Sequence, residues 1–239
     1  MNLTGFFLKK TIKNILVSTV IFYLCSATFD FKGQKTGMNR EEILNQIAHL
    51  FMRYGIKSIT MDTIANELRI SKKTLYEIFE NKHEIVKTVV STHIENEKRL
   101  MEEIIKNSEN AIETMINMSK SIIDIYSKLR PTVLYDLKRF YPDVWQLAED
   151  FNNNYTREMI KDNLVQGIEE GLYRQDIEPE ILSTLYTIQL KVFSDETEAR
   201  LEKYDFNKLL IQFFEYHLYG IMSYKGVKYF LSKEKNINI

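Results

Sequence analysis

Several residue types are scarce in this chain of 239 residues, and each scarcity excludes a class of structure. Cys25 is the only cysteine, so an intrachain disulfide and cysteine-based zinc or iron–sulfur sites are excluded. The three prolines and eight glycines argue against turn-rich β folds, which need such residues at their turns. The 32 basic and 33 acidic residues nearly cancel, so the net charge indicates no particular kind of partner.

The signatures of common catalytic and metal sites are also missing. The sequence has no glycine-rich phosphate loop, no His-Glu-x-x-His motif and no nucleophile elbow. His83 and His93 are ten residues apart, a spacing that does not place them on one helical face. The adjacent acids Glu102 and Glu103 are typical of a solvated helix face. We therefore expect no enzyme activity, no metal site and no cofactor.

Residues 1–37 differ in composition from the rest of the chain, with five lysines and one acidic residue. A basic start followed by the apolar stretch from Ile15 to Cys25 is the pattern of a signal peptide, and the stretch is short for a membrane helix of about 20 residues. Three explanations stay open: translation that begins at Met38, a disordered or tethering extension, and a true export signal. We favour a start at Met38, because strong helix signals follow it directly.

Helix caps and apolar spacing predict the first helix after Met38. Asn39 and Glu42 form a capping-box pattern, in which each side chain satisfies a backbone N–H of the first turn. Apolar residues follow at helical spacing as far as Tyr54, and Gly55 is predicted to end the helix.

Three more helices are predicted before residue 107. Thr60 is the predicted cap of a short second helix, and Ser71 caps a third over 72–79. Asn81 opens a long fourth helix through about residue 106. Two short helices joined by a tight turn and backed by a first helix form a helix-turn-helix, which places the second of the two in a DNA major groove.

The motif from Thr60 to Phe79 resembles the DNA-binding motif of TetR-type (tetracycline-repressor-like) regulators. The shared features are an Ile-Ala pair in the second helix, Ile-Ser in the turn, Thr-Leu-Tyr-x-x-Phe in the recognition helix, and a lysine soon after. The resemblance covers about residues 38–97. Arg69 departs from the glycine that is usual in the turn, and a positive φ there costs arginine about 1 kcal/mol or more.

The resemblance implies which side chains contact DNA. Phosphate contacts are expected from Thr60, Tyr76 and Lys82, the last with its side chain or its backbone. Lys72, Lys73 and Thr74 are expected to lie nearest the bases. The DNA-binding domain is thus predicted over 38–97, with its helix-turn-helix at 60–79.

The rest of the chain is predicted to be helical, so the fold class is all-α. We expect a helical effector-binding and dimerisation domain over 98–225 and a C-terminal tail over 226–239. Its predicted helical stretches are 109–129, 131–150 with a break at Pro142, 153–171, 178–193 and 205–224.

The last two of these stretches are apolar around most of their circumference, which indicates burial on two sides. A twofold partner is the commonest way to cover the second side, and a plain monomeric core is the alternative. TetR-type regulators use their last two helices to form a dimer. The expected interface residues are Leu185, Ile188, Phe213, Phe214 and Leu218.

The middle of the chain is rich in aromatic residues and methionines. The resemblance implies an effector cavity here, whereas ordinary core packing is the alternative for each residue. The sequence indicates no particular ligand. The candidate pocket residues are Met115, Tyr126, Tyr135, Trp145, Tyr155 and Met159.

These observations predict a cytoplasmic transcriptional regulator. We expect a ligand-responsive repressor that binds a palindromic operator in double-stranded DNA as a homodimer, with an unknown small-molecule effector and no membrane partner. Two alternatives stay open: a regulator tethered to a membrane through residues 15–29, and a helical module that binds proteins.

Overall fold

The structure, a computed structural model, describes residues 38–128, 131–193 and 204–235. These residues form helices and no β-strand, apart from one isolated bridge between Tyr173 and Met222. The predicted all-α class is therefore confirmed. The predicted extension over 1–37, including the proposed anchor at 15–29, lies outside the described residues.

Eleven α-helices and one π-helical segment make up the described part of the chain. They are α1 (Arg40–Tyr54), α2 (Met61–Glu67), α3 (Lys72–Ile78), α4 (Lys82–Asn107), α5 (Ala111–Lys128), α6 (Pro131–Phe140), α7 (Pro142–Asp150), the π-helical segment Phe151–Thr156, α8 (Arg157–Glu169), α9 (Pro179–Phe193), α10 (Phe206–Ile221) and α11 (Tyr224–Lys235). Among the described helices, none is both long enough and apolar enough to cross a membrane.

The chain divides into two compact units. In the described residues, the head unit contains 38–100 and 131–151, and the body unit contains 101–128, 152–193 and 204–235. The sequence predicted one effector-binding and dimerisation domain over 98–225, but α6 and α7 lie in the head unit. The reason is packing, since Val133, Leu137 and Val144 are buried in the same core as the helix-turn-helix.

Local sequence features fix both ends of α1, the first helix of the head unit. Asn39 accepts a hydrogen bond from the Glu42 N–H at 2.9 Å, and the Glu42 carboxylate accepts one from the Asn39 N–H at 2.9 Å, so the capping box is confirmed. At the other end of α1, Gly55 has a φ of 84° and donates its N–H to the Phe51 carbonyl. Ile47, whose side chain is completely buried, lies on the inward face of this helix.

Tyr173 lies at the centre of the body unit. Its hydroxyl donates to the carbonyl of Ala111 at 3.0 Å and contacts Asn163 Oδ1 at 3.1 Å. Gly167 of α8 makes room for the ring, because a Cβ there would lie 2.0 Å from it. The ring thereby fills the interior while its hydroxyl stays hydrogen-bonded, as a buried polar group requires.

The C-terminal residues predicted as a tail form most of α11. Phe230 of this helix is 2% exposed, and Gly226 packs so closely that an added Cβ would lie 2.1 Å from the Leu172 carbonyl oxygen. The tail prediction is thus wrong as far as Lys235, since a buried aromatic side chain and a close backbone contact fix this helix on the body unit.

Candidate nucleic-acid interface and effector cleft

The helix-turn-helix is held by the two caps that the sequence predicts. Thr60 Oγ1 accepts the Thr63 N–H at 3.1 Å at the start of α2, and Ser71 Oγ accepts the Thr74 N–H at 3.0 Å at the start of α3. Between the two helices, Arg69 has a φ of 55°, the one non-glycine residue with positive φ among the described residues. The turn therefore keeps its left-handed geometry although arginine occupies the position.

The outward face of α3 carries four of the six predicted DNA-binding residues. Leu75 is completely buried and anchors the helix, so that the residues on the opposite side face outward. The exposed residues are Lys72, Lys73, Thr74 and Tyr76, and Thr60 is exposed at the start of α2. This is the geometry that places short polar and basic side chains against a DNA groove.

Acidic residues moderate the positive charge of this face. Lys72 Nζ lies 2.6 Å from Asp62 Oδ2 of α2, and Lys73 Nζ lies 3.9 Å from Glu77 Oε1 on α3 itself. Exposed pairs of this kind are worth about 0–1 kcal/mol, so both lysines can exchange their carboxylate partners for a phosphate at little cost.

Lys82 is predicted to contact a phosphate with its side chain or its backbone, and its side chain is bound within the head unit. Its Nζ donates to the carbonyl of Ile56 at 2.6 Å and lies 3.4 Å from that of Lys57. Burial lowers the pKa of this ammonium group, and the negative charge of Asp136 partly opposes that shift. The side chain therefore holds the loop after α1, while the backbone at the start of α4 stays near the helix-turn-helix.

Sequence reasoning did not single out Arg40, which lies beside the end of α3 and the start of α4. Its guanidinium group lies 5.2 Å from the Phe79 ring centroid and 3.7 Å from Glu84 at the start of α4. The sequence shows only a basic residue in the first turn of α1. The residues that Arg40 contacts lie about forty positions further along the chain, so local patterns could not reveal them.

The body unit contains a cleft of about 280 Å³ next to part of the predicted effector site. Tyr155 and Met159 line this cleft, whereas Met115 is buried in the core and Tyr126 lies in α5 with its side chain outside the described residues. Further lining residues that the prediction omitted are Ile105, Thr114, Met118, Glu158, Asp162, Asn163 and Gln166.

Two of the predicted pocket residues belong elsewhere. Tyr135 lies on α6 and Trp145 on α7, both in the head unit, where Trp145 packs against the core and Tyr135 is exposed. The sequence grouped them with the cleft because aromatic residues are dense there, but long-range packing assigns α6 and α7 to the helix-turn-helix.

The predicted dimer residues also separate into two groups. Leu185 and Ile188 of α9 are about half exposed, at 48% and 55%. Phe213, Phe214 and Leu218 of α10 are buried within this single chain. Tyr186 explains the second group, because its ring lies 5.3 Å from the Phe213 ring and 6.4 Å from the Phe214 ring.

Comparison with known proteins supports the interpretation of the head unit. Residues 43–89 match the family model described as bacterial regulatory proteins, tetR family. The matched stretch lies in the head unit and contains the whole helix-turn-helix, α2 and α3. A curated relative, described as an uncharacterized HTH-type transcriptional regulator, YvaF of Bacillus subtilis, is 30% identical over 112 residues, which cover 46% of this chain. The chain spans 58% of the length of that relative.

Solved structures of transcriptional regulators share the fold over a longer stretch. The ketosteroid transcriptional regulator KstR2 of Mycobacterium tuberculosis is 22% identical with a TM-score of 0.54, and the match covers 79% of this chain and 97% of KstR2. A putative regulator from Saccharomonospora viridis in complex with choline is 16% identical with a TM-score of 0.64, covering 77% of this chain and 97% of the regulator. At these identities the likeness shows that the chain has the fold of these regulators.

Proposed function

We propose that this chain is a sequence-specific DNA-binding regulator of transcription that reads the major groove with α3. The observation that carries the proposal is the exposed face of Lys72, Lys73, Thr74 and Tyr76 on a helix whose opposite side is anchored by the buried Leu75. Lysines suit phosphate or guanine contacts, and the Tyr76 hydroxyl suits a phosphate oxygen.

A homodimer is the second element of the proposal. α9 exposes an apolar stripe of Ile181, Leu185, Ile188 and Val192, residues that recur at helical spacing on one face. Exposed apolar stripes of this kind mark interfaces, and a twofold partner would cover two copies of the stripe at once. A symmetric pair of heads separated by about 34–36 Å would bind a palindromic operator.

The cleft in the body unit supports a ligand-responsive repressor. Met118, Met159 and Ile105 provide apolar walls, and Thr114 and Tyr155 add hydroxyl groups, as is usual in small-molecule sites. An effector would release DNA only to the extent that it binds the DNA-free state more tightly than the DNA-bound state.

A gel-shift assay with DNA from upstream of the chain's own gene tests DNA reading. We expect Lys72→Ala and Tyr76→Ala to weaken binding, each by about tenfold. Asp62→Asn should strengthen binding by up to about fivefold, because it frees Lys72 from an exposed ion pair. Glu67→Gln, an equal charge change at the far end of α2, is the control. Unchanged binding by both alanine variants would refute the proposal.

Light scattering after size-exclusion chromatography tests the homodimer. Leu185→Glu should give a monomer with unchanged helical content, because this side chain is exposed in the single chain. Asn152→Asp adds the same charge at an exposed position outside α9 and should leave the dimer intact. A monomeric wild-type protein at micromolar concentration would contradict this part of the proposal.

A further inference from the structure

We propose that Asp136 of α6 is a positioning residue for DNA binding, because its carboxylate holds the loop between α1 and α2 in the geometry that sets Thr60 and α3. The inference rests on the proposed function, since it assigns a role within the same DNA-binding head. It concerns a residue that lies outside the helix-turn-helix and 79 positions from its contact in the sequence.

The carboxylate contacts the loop backbone directly. Asp136 is 8% exposed, and its Oδ2 accepts the N–H of Lys57 at 2.7 Å. Gly55 allows this approach, since a Cβ at that position would lie 3.1 Å from the same oxygen. The positive φ of Gly55, 84°, turns the chain out of α1 and toward α6.

Lys82 holds the same loop from α4. Its Nζ donates to the carbonyls of Ile56 and Lys57, at 2.6 and 3.4 Å. The peptide groups on both sides of Lys57 are therefore fixed, with the N–H bound to Asp136 and the carbonyls bound to Lys82. Two side chains of opposite charge thus hold the backbone of one short loop.

The loop connects directly to the proposed DNA contacts. Ile56 and Ile59 are each 3% exposed and anchor its two ends in the head core. Thr60 follows Ile59 and caps α2, which packs against α3 through the turn at Arg69. A change in the path of the loop would therefore move the cap of α2 and the recognition helix with it.

Packing alone does not explain a buried carboxylate at position 136. Its α6 neighbours Val133 and Leu137 are apolar and buried in the core. An apolar side chain would avoid the cost of removing a charge from water, which is several kcal/mol unless hydrogen bonds compensate. The carboxylate is thus suited to accepting the Lys57 N–H, and it is poorly suited to filling space.

Three variants of the full chain test the inference. Asp136→Ala removes the acceptor, and Asp136→Asn keeps an acceptor oxygen and the side-chain volume. Asp150→Ala removes an exposed acid of the same unit, whose hydrogen bond is to Gln146 within α7, and serves as the control. Each protein is measured for affinity to DNA that the wild type binds, for thermal unfolding, and for amide hydrogen exchange at Lys57.

We expect Asp136→Ala to bind DNA about tenfold more weakly or worse, because hydrogen bonds to charged groups contribute about one to two orders of magnitude. Exchange at the Lys57 amide should be faster, while the amides of α3 keep their protection. Asp136→Asn should restore affinity to within about threefold and restore the protection, and Asp150→Ala should match the wild type.

Two results would overturn the inference. The first is wild-type affinity of Asp136→Ala, and the second is loss of affinity in both Asp136 variants while the Lys57 amide stays protected. A wild-type protein that binds none of the DNA would instead refute the proposed function. In that case the exchange at Lys57 would still report whether Asp136 holds the loop.

Discussion

Arg69 stores strain in the turn of the helix-turn-helix. Its φ of 55° lies in the left-handed region, where a residue with a Cβ pays about 1–2 kcal/mol. The Leu68 and Ile70 side chains are buried or partly buried beside it, so packing of the neighbours maintains the conformation. The side chain of Arg69 is itself exposed.

We expect Arg69→Gly to stabilise the protein by about 0.5–1 kcal/mol, because relief of the strain exceeds the extra freedom glycine gives the unfolded chain. Urea unfolding measures this free energy. Glu67→Gly is the matched control: it places glycine in right-handed helix two residues earlier and should destabilise by about 1 kcal/mol. If Arg69→Gly lowered the free energy of unfolding as much as the control does, the backbone at Arg69 would not be strained.

His217 of α10 makes the stability of the body unit depend on pH. Its ring lies 4.7 Å from the Tyr186 ring, and its Nε2 is buried with no hydrogen-bond partner among the described residues. Burial lowers the pKa of His217 from 6.5 to about 4. Between these two pH values the unfolded chain binds a proton that the folded chain does not, so stability is present above pH 6.5 and is lost as the pH falls toward 4.

The pH dependence of thermal unfolding checks this histidine. His217→Phe removes the titrating group and keeps an aromatic ring, so its stability should fall less than that of the wild type between pH 7 and pH 4. The difference should reach at most about 3 kcal/mol, since each unit of pKa shift corresponds to about 1.4 kcal/mol. If the stabilities of the two proteins fell equally between pH 7 and pH 4, the titration of His217 would not account for the pH dependence.

At the scale of single elements, the sequence predicted the helix-turn-helix closely. Caps and apolar spacing act within four residues, and they placed the ends of α1 and α3 to within one residue of the structure. The direction of the Lys82 side chain could not be predicted in this way, because its acceptors lie 25 and 26 positions earlier in the chain.

Longer-range packing accounts for the elements that sequence reasoning assigned wrongly. α6 and α7 have ordinary amphipathic sequences, and nothing local in them specifies which core their apolar face joins. α10 is apolar around most of its circumference, and the position of Tyr186 decides that Phe213 and Phe214 are internal. α11 is short and polar, so its docking depends on Phe230 and on a glycine contact that no periodicity reveals.

The docking of α11 leads to a prediction about two glycines. Gly226→Ala should destabilise the protein by about 1–3 kcal/mol, because its Cβ would clash with the Leu172 carbonyl oxygen and the backbone would have to move. Gly220→Ala in α10 is the control, since no atom lies within 4 Å of its added Cβ, and it should be neutral or stabilising. Thermal unfolding of both variants measures the difference.

At the scale of the whole molecule, the chain passes between its two units three times within the described residues. It leaves the head after residue 100, returns before α6, and leaves again after residue 151. The head core therefore depends on two separate segments of sequence. Val133, Leu137 and Val144 reach it only after the chain has formed α5 of the body unit.

A fragment of residues 38–107 should therefore fail to fold as the full chain does. It contains the complete helix-turn-helix but lacks the buried side chains of α6 and α7 and the Asp136 contact to Lys57. We expect poorly dispersed amide signals in its NMR spectrum and no cooperative thermal transition, with the full chain as the reference. A well-dispersed spectrum from this fragment would show that α6 and α7 are dispensable.

The head unit is built from two separate stretches of sequence, and this limits how chimeras with other regulators can be designed. A chimera that joined residues 38–100 to the body of another regulator would place foreign side chains against Ile56, Ile59 and the rest of the head core. A chimera that keeps the DNA specificity of this protein would have to contain both of its head stretches, residues 38–100 and 131–151. Sequence comparison alone would suggest joining the two proteins just after the helix-turn-helix. Such a junction would leave one hydrophobic core made of side chains from two different proteins.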